Sequence, residues 1–404
     1  METRQIQNRI EEIFDEVVSI RRYLHMHPEL SNQEEETMKY VSECLTKLGI
    51  PNQTNVGGHG VVGLIGDPKA DFSIGLRADM DALPIQEMNE IPYASKVPGV
   101  MHACGHDIHT ATLLGTAKLL KEMEGELPGA VKLFFQPAEE KGGGARQMIA
   151  DGCMNNPPVR RVLGFHVDVG KPAGHVILFP EQVSACSTGL SITVDGKACH
   201  GSRPDTGVDA IVASAHVLIA LQNVASRFIS PLRPVVVSVG MIQGGTRSNI
   251  LAGQVEMKGT IRTLDIKTRD LVKEKVQIAA EGAAASCGAT VTLAMRDGYP
   301  AVVNDRATTA LLEDIAKEVL GPDGYTIRTE PGMGGEDFSY FASEVPSSFF
   351  RLGVLGENGG HKQNLHNERF CPDESCMKNG MLMEVLGVLA LQEEERARIA
   401  VSNP

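Results

Sequence analysis

The chain has 404 residues, 42% hydrophobic and 22% charged, with a formal net charge of −13. That composition is ordinary for a soluble enzyme with room for two cored domains, and its acidity argues against nucleic acid and anionic membranes as partners. No apolar run approaches the ~18 residues of a membrane span, the first residues lack a signal core, and the eight cysteines show no paired framework, so a reduced, cytoplasmic protein is expected.

Helical periodicity covers residues 5–24, where Ile6, Ile10, Ile13, Val17, Ile20 and Leu24 fall on one face until Pro28. A second helix is expected over Glu34–Leu48, stopped by Gly49. Apolar runs at Val61–Ile65, Ser73–Arg77, Val131–Phe135 and Val162–Val167 read as buried strands, with a helix at Thr110–Met123. Strands alternating with helices predict an α/β fold built on a mostly parallel sheet. Ligands gather at the carboxyl ends of such strands, where Asp79, Asp81, Glu139, Glu140 and His166 fall.

The middle of the chain changes rhythm. Strand Leu190–Val194, helix Val208–Phe228, strands Pro234–Ile242 and Val255–Arg262, helix Lys267–Ala285 and strand Thr290–Met295 give the order βαββαβ. That is the ferredoxin-like pattern, so residues 184–297 are expected to form an inserted domain within a larger one made of residues 1–183 and 298–404. The larger domain resumes with helix Thr308–Val319, strand Ser348–Gly353 and helix Ser375–Leu391. Polar residues 393–404 are expected to fray.

Residues 101–109, Met-His-Ala-Cys-Gly-His-Asp-Ile-His, pack a thiol, three imidazoles and a carboxylate into one short segment. Gly105 lets Cys104 and His106 turn towards one centre, and the crowding of His102, Asp107 and His109 strengthens that reading. Alone, Cys104 would be a small buried residue. Glu139-Glu140 follow a buried strand and Gln136-Pro137-Ala138, before the glycine-rich 141–144 loop. Neighbouring side chains there diverge, so one carboxylate suits a metal and the other a general base. His166 ends an apolar strand and His366 sits in a polar loop; singly, each reads as a core or surface histidine. His200 lies in the inserted domain, where a substrate role fits better than a metal role. Thiolate, imidazole and carboxylate together suit Zn²⁺, Mn²⁺, Co²⁺ or Ni²⁺. No Gly-x-Ser-x-Gly elbow, His-Glu-x-x-His helix or phosphate loop is present.

These segments resemble the aminoacylase and glutamate-carboxypeptidase metallopeptidase family, in its amidohydrolase branch with hippurate hydrolase, N-acyl-L-amino acid amidohydrolase and indole-acetyl-amino acid hydrolase. The resemblance rests on Arg21–His25 with Pro28–Leu30, Leu76–Pro84, Met101–Thr110, Phe135–Glu140, Gly240–Asn249, Gly259–Arg262, Gly335–Phe338 and Leu365–Phe370. It implies two divalent metal ions held by Cys104, His106, Glu140, His166 and His366, with Glu139 as general base. It further implies that the inserted domain is a lid forming a homodimer, that His200 reaches the partner's active site, and that Asn249 and Arg247 hold substrate. Ile108 stands where the family usually has glycine, and Asp168 where an aromatic is common; both bear on substrate preference.

The expected activity is therefore amide cleavage of N-acyl amino acids, giving a carboxylic acid and a free amino acid. A dipeptidase or carboxypeptidase with the same metals is the nearest alternative. A non-catalytic metal or redox sensor using Cys104 is a rival from another class, opposed by Glu139, which a sensor would not need.

Overall fold

A computed structural model describes residues 2–356 and 363–402. The elements in chain order are helices α1 (Thr3–Met26) and α2 (Glu35–Lys47), then strands β1 (Asn52–Val56), β2 (Gly60–Ile65) and β3 (Ser73–Asp79). Helix α3 (His106–Glu122), β4 (Ala130–Gln136), α4 (Gly144–Ala150), β5 (Val159–Pro172) and β6 (Val176–Leu178) follow. Next come β7 (Cys186–Asp195), β8 (Cys199–His200), α5 (Ala210–Asn223), β9 (Val235–Gly244), β10 (Ile250–Leu251), β11 (Gln254–Thr263), α6 (Ile266–Ser286) and β12 (Thr290–Asp297). The chain ends with α7 (Arg306–Leu320), β13 (Tyr325–Ile327), α8 (Ser339–Glu344), β14 (Ser347–Leu355) and α9 (Cys376–Ser402).

Two compact units emerge: Met1–Val183 with Val302–Glu330 and Asp337–Pro404, and Ser184–Ala301 with Pro331–Glu336. The first is built on an eight-stranded sheet in the order β1-β2-β4-β3-β5-β14-β6-β13. Its central strands β4, β3, β5 and β14 run parallel, while β1, β2 and β6 add antiparallel neighbours. Side chains alternate between faces. Leu76, Leu133, Phe165 and Phe350 join the larger core, in which Ile6, Ile10 and Val17 of α1 also pack. Phe134, Val162 and Phe349 pack on the other face with Phe338 and Phe341. That second face also carries Arg77, Asp79, Gln136, His166 and Arg351 near the carboxyl ends of the central strands.

The second unit has the strand order β12-β7-β11-β9, every pair antiparallel. This is the strand arrangement a βαββαβ unit adopts. Its core joins Leu190, Ile192 and Val194 of β7 to Val217 of α5 and Val272 of α6. Strands β8 and β10 form a separate two-stranded ribbon.

Several local expectations are corrected. The polar tail is helical through Ser402, because Glu395 is buried and paired with Arg161 at 2.9 Å. Gly144 opens α4 instead of continuing a loop, with Gly143 left-handed at φ 69° before it. Helix α3 starts at His106, four residues earlier than its apolar pattern, because Gly105 turns the chain at φ 84°. A Cβ on Gly105 would also lie 2.7 Å from Val167. Finally, Ala210–Phe228 is long and apolar enough for a membrane span, contrary to the reading that nothing approached that length, although a single such helix is weak evidence for one. One side of this stretch packs in the core of its own unit through Ala213, Val217, Leu221 and Val224.

Candidate metal centre and active site

The six residues expected at the centre come from four places in the first unit. Cys104 and His106 flank the turn into α3, Glu139 and Glu140 follow β4, His166 lies in β5, and His366 sits in a loop at φ 63°. The His366 backbone N–H donates to the carbonyl of Ala103 at 2.9 Å, tying that loop to the Cys104 segment. Their donor atoms fall into three overlapping groups, each within 4.8 Å: Cys104 with His106 and His166, Cys104 with Glu140 and His366, and His106 with Glu139 and Glu140. Cys104 Sγ lies 3.3 Å from His166 Nε2, and His366 Nε2 lies 3.1 Å from Glu140 Oε1.

The buried carboxylate of Asp81 organises this constellation. It accepts the backbone N–H of Glu139 at 3.1 Å and of Glu140 at 3.0 Å, and the Ser31 hydroxyl at 2.6 Å. His106 Nδ1 donates to the Asp81 carbonyl at 2.8 Å, with Asp81 Oδ1 at 3.2 Å. Glu34, fully buried, accepts the N–H of Ala138 at 2.8 Å and so helps hold that residue at φ 54°. Burial lifts the Glu34 carboxyl to about 7. The sequence reading placed Asp81 at a strand end without giving it a role, and missed Glu34; one more acid in the Glu34-Glu35-Glu36 run carries no signal of burial.

These hydrogen bonds fix tautomers. His106 and His166 both donate from Nδ1 to backbone carbonyls, the latter to Val167 at 2.9 Å, which turns their Nε2 lone pairs towards Cys104 and its neighbours. His106 Nε2 is buried without a hydrogen-bond partner. Glu140 Oε1 likewise makes no well-formed hydrogen bond despite the nearby His366 nitrogen. Burial pushes the Cys104 thiol well above its usual range, so a neighbouring cation is needed to hold it as thiolate. The orphaned His106 Nε2 and Glu140 Oε1, clustered with the Cys104 sulfur, make a mixed sulfur, nitrogen and oxygen donor set that fits borderline divalent ions.

The crowding around Cys104 has a different meaning from the one the sequence suggested. His109 donates from Nδ1 to Asp79 at 2.5 Å and accepts the Val167 N–H on Nε2 at 3.1 Å, so neither nitrogen is spare. Asp107 faces Arg21 at 2.9 Å and His25 at 2.7 Å. His102 is buried with no hydrogen-bond partner at either nitrogen, and burial lowers its pKa to about 4, which keeps it neutral. Asp79 resists the cost of its own burial chiefly through the Arg77 guanidinium, with the His109 N–H donated to it, and stays ionised.

The second unit holds the other three expected residues close together. His200 pairs with Ile250 across the β8–β10 ribbon, and the Gly201 N–H donates to the Asn249 carbonyl at 2.8 Å. His200 Nδ1 accepts the Ser202 N–H at 3.2 Å, with the Ser202 hydroxyl at 2.7 Å, so neutral His200 carries its proton on Nε2. Arg247 lines a groove of about 550 Å³ with Gly201, Asp209 and Ser248. His200, Arg247 and Asn249 are all exposed.

Comparison with known proteins agrees with this chemistry. Residues 75–386 match the peptidase family M20/M25/M40. The chain is 39% identical to thermostable carboxypeptidase 2 of Saccharolobus solfataricus, over 95% of this chain and 97% of that protein. It is 37% identical to N-acetyl-L-cysteine deacetylase of Bacillus subtilis, over 90% and 85% of the two chains. Among solved structures, Bacillus subtilis YxeP, a dinuclear metal-binding peptidase of family M20, superposes with a TM-score of 0.82 at 33% identity, covering 95% of this chain and 99% of that one.

Proposed function

The chain belongs to peptidase family M20/M25/M40, and from that membership we propose that it hydrolyses the amide bond of N-acyl amino acids to a carboxylic acid and a free amino acid. The observation that carries the reading is the pair of donor groups sharing Cys104, with Glu139 beside them. In this proposal Cys104, His106, Glu140, His166 and His366 hold two divalent ions, Mn²⁺ or Zn²⁺ foremost, with Co²⁺ or Ni²⁺ as substitutes. Bound there, such ions polarise an amide carbonyl and acidify a water. Glu139 takes the proton of the attacking water and passes it to the leaving amine. Its backbone is anchored by Asp81, so its carboxylate keeps a fixed base of support. His200, whose Nδ1 accepts the Ser202 N–H, keeps Nε2–H as a donor suited to the oxyanion. Asn249 and Arg247 are assigned to holding substrate.

The proposal includes a cytoplasmic homodimer formed through residues 184–297 acting as a lid, without nucleic-acid or membrane partners. Its support is the edge strand β9 and the exposed apolar side chains of that unit, Ile211, Val212 and Ile219 on α5 with Met241 and Ile242 on β9. A carboxypeptidase or dipeptidase reading is kept alongside because of the Saccharolobus relative. Family membership leaves the sensor reading without support.

The test is turnover by apo-protein reconstituted with each of the four metals. N-acetyl and N-benzoyl amino acids are compared with dipeptides. N-acyl substrates are expected to dominate, and Glu139→Gln is expected to keep its metal while losing ~10²–10⁴-fold in kcat. Faster turnover of dipeptides would favour the peptidase reading; near-normal kcat in metal-loaded Glu139→Gln would remove the assigned base.

A further inference from the structure

Resting on that reading, we propose that Arg351 is a specificity-determining residue that receives a second carboxylate of the substrate beside the metal-ligand site. Arg351 of β14 is in direct register with His166 of the parallel strand β5, so the two side chains leave the same face of the sheet on neighbouring strands.

The charge of Arg351 is uncompensated among the described residues. Two buried arginines of this sheet are saturated: Arg77, on the same face, engages Asp79 at 2.7 Å, Asp337 at 2.8 Å and Gln136 at 2.7 Å. Arg161 of β5 likewise holds Glu395 at 2.9 Å and the Thr308 hydroxyl at 2.6 Å. Arg351 makes neither a hydrogen bond nor an ion pair among the described residues; its guanidinium rests 5.7 Å from the Phe349 ring. Asp168, two residues past His166 on that face, is turned elsewhere. It accepts the Gly170 N–H at 2.8 Å and lies 3.9 Å from Arg328. A half-buried guanidinium without a carboxylate offers two parallel N–H donors to one that arrives.

An N-acyl amino acid already carries one carboxylate, on its amino-acid part. The second can come from a dicarboxylic acyl group or from the side chain of an acidic amino acid. The arms are N-succinyl against N-butanoyl amino acids for the first source, and N-acetyl-glutamate against N-acetyl-methionine for the second. For each pair the ratio of kcat/KM, anionic over neutral, is compared in wild type, Arg351→Gln and Arg351→Lys. Because each ratio is taken within one variant, general damage to the enzyme cancels. We expect the ratio of one pair to fall ~10- to 100-fold in Arg351→Gln and to be partly kept in Arg351→Lys. Ratios unchanged in both pairs would overturn the inference even if the amidohydrolase reading stands. If wild type hydrolyses none of these substrates, the proposed function fails on its own. Calorimetric binding of glutarate against butyrate to metal-loaded wild type and Arg351→Gln then tests the site directly. Weaker glutarate binding by the variant supports it, and equal binding overturns it.

Discussion

Glu384 gives a stability prediction whose size follows from its surroundings. It lies fully buried on α9, with Oε2 accepting the Thr116 hydroxyl of α3 at 2.6 Å and Oε1 making no hydrogen bond. Burial raises its carboxyl from 4.5 to about 8. Over that window the native state binds the proton and the unfolded chain releases it. Stability therefore falls as pH rises from the unfolded pKa to the folded one, then levels off. Each pH unit inside the window costs ~1.4 kcal/mol, so by pH 7 roughly 3 kcal/mol of the low-pH stability is gone. Glu384→Gln cannot ionise, although its amide leaves a buried N–H that costs ~1–3 kcal/mol at every pH. The variant is thus expected to be no more stable than wild type near pH 5. The difference between them should then swing by roughly 3 kcal/mol in its favour by about pH 8. Urea titrations followed by circular dichroism on chelator-treated wild type and variant, at several pH values, measure this swing. Other titrating groups cancel in the difference. Parallel profiles would show that Glu384 is ionised in the fold or solvated, and the argument from burial would be wrong.

Replacing Cys104 by Ala should lower bound metal and turnover together, since it removes the donor common to two of the groups. An unchanged metal-to-protein ratio by elemental analysis would leave it a packed core thiol. His200→Ala should lower kcat by ~10²–10³ with metal content intact. Mixing inactive His200→Ala with inactive Glu139→Gln subunits under exchange should restore activity if His200 serves the partner's site; no recovery would reject action in trans.

The long elements were readable because their apolar spacing is dense. The Ile6–Val17 stripe of α1 and the βαββαβ order announce themselves over windows of ten residues or more, and the runs of β3 to β5 by unbroken apolar sequence. The short strands β1, β6 and β13 were missed, being three to five residues long, and β6 and β13 are held by neighbours distant in sequence. The helical tail was hidden for the same reason: Glu395 looks solvated until Arg161, far back in the chain, is brought beside it. At the site, residues that suit ligands stood out by type and crowding, whereas the groups that aim them did not. Asp81 and Glu34 act on backbone N–H groups, and nothing in a sequence marks which amide a carboxylate will meet. Crowding also over-counted, since His109 and Asp107 belong to hydrogen-bond and ion-pair networks beside the proposed ligands.

Asp81 has a consequence for how metal enters. One side chain and its own carbonyl tether the Glu139-Glu140 backbone and the His106 ring. These segments are therefore held by hydrogen bonds within the chain itself. An ion at the proposed site would meet donors aimed by these bonds, and discrimination among metals of similar size would fall to the donor atoms themselves and to which ion the surroundings supply.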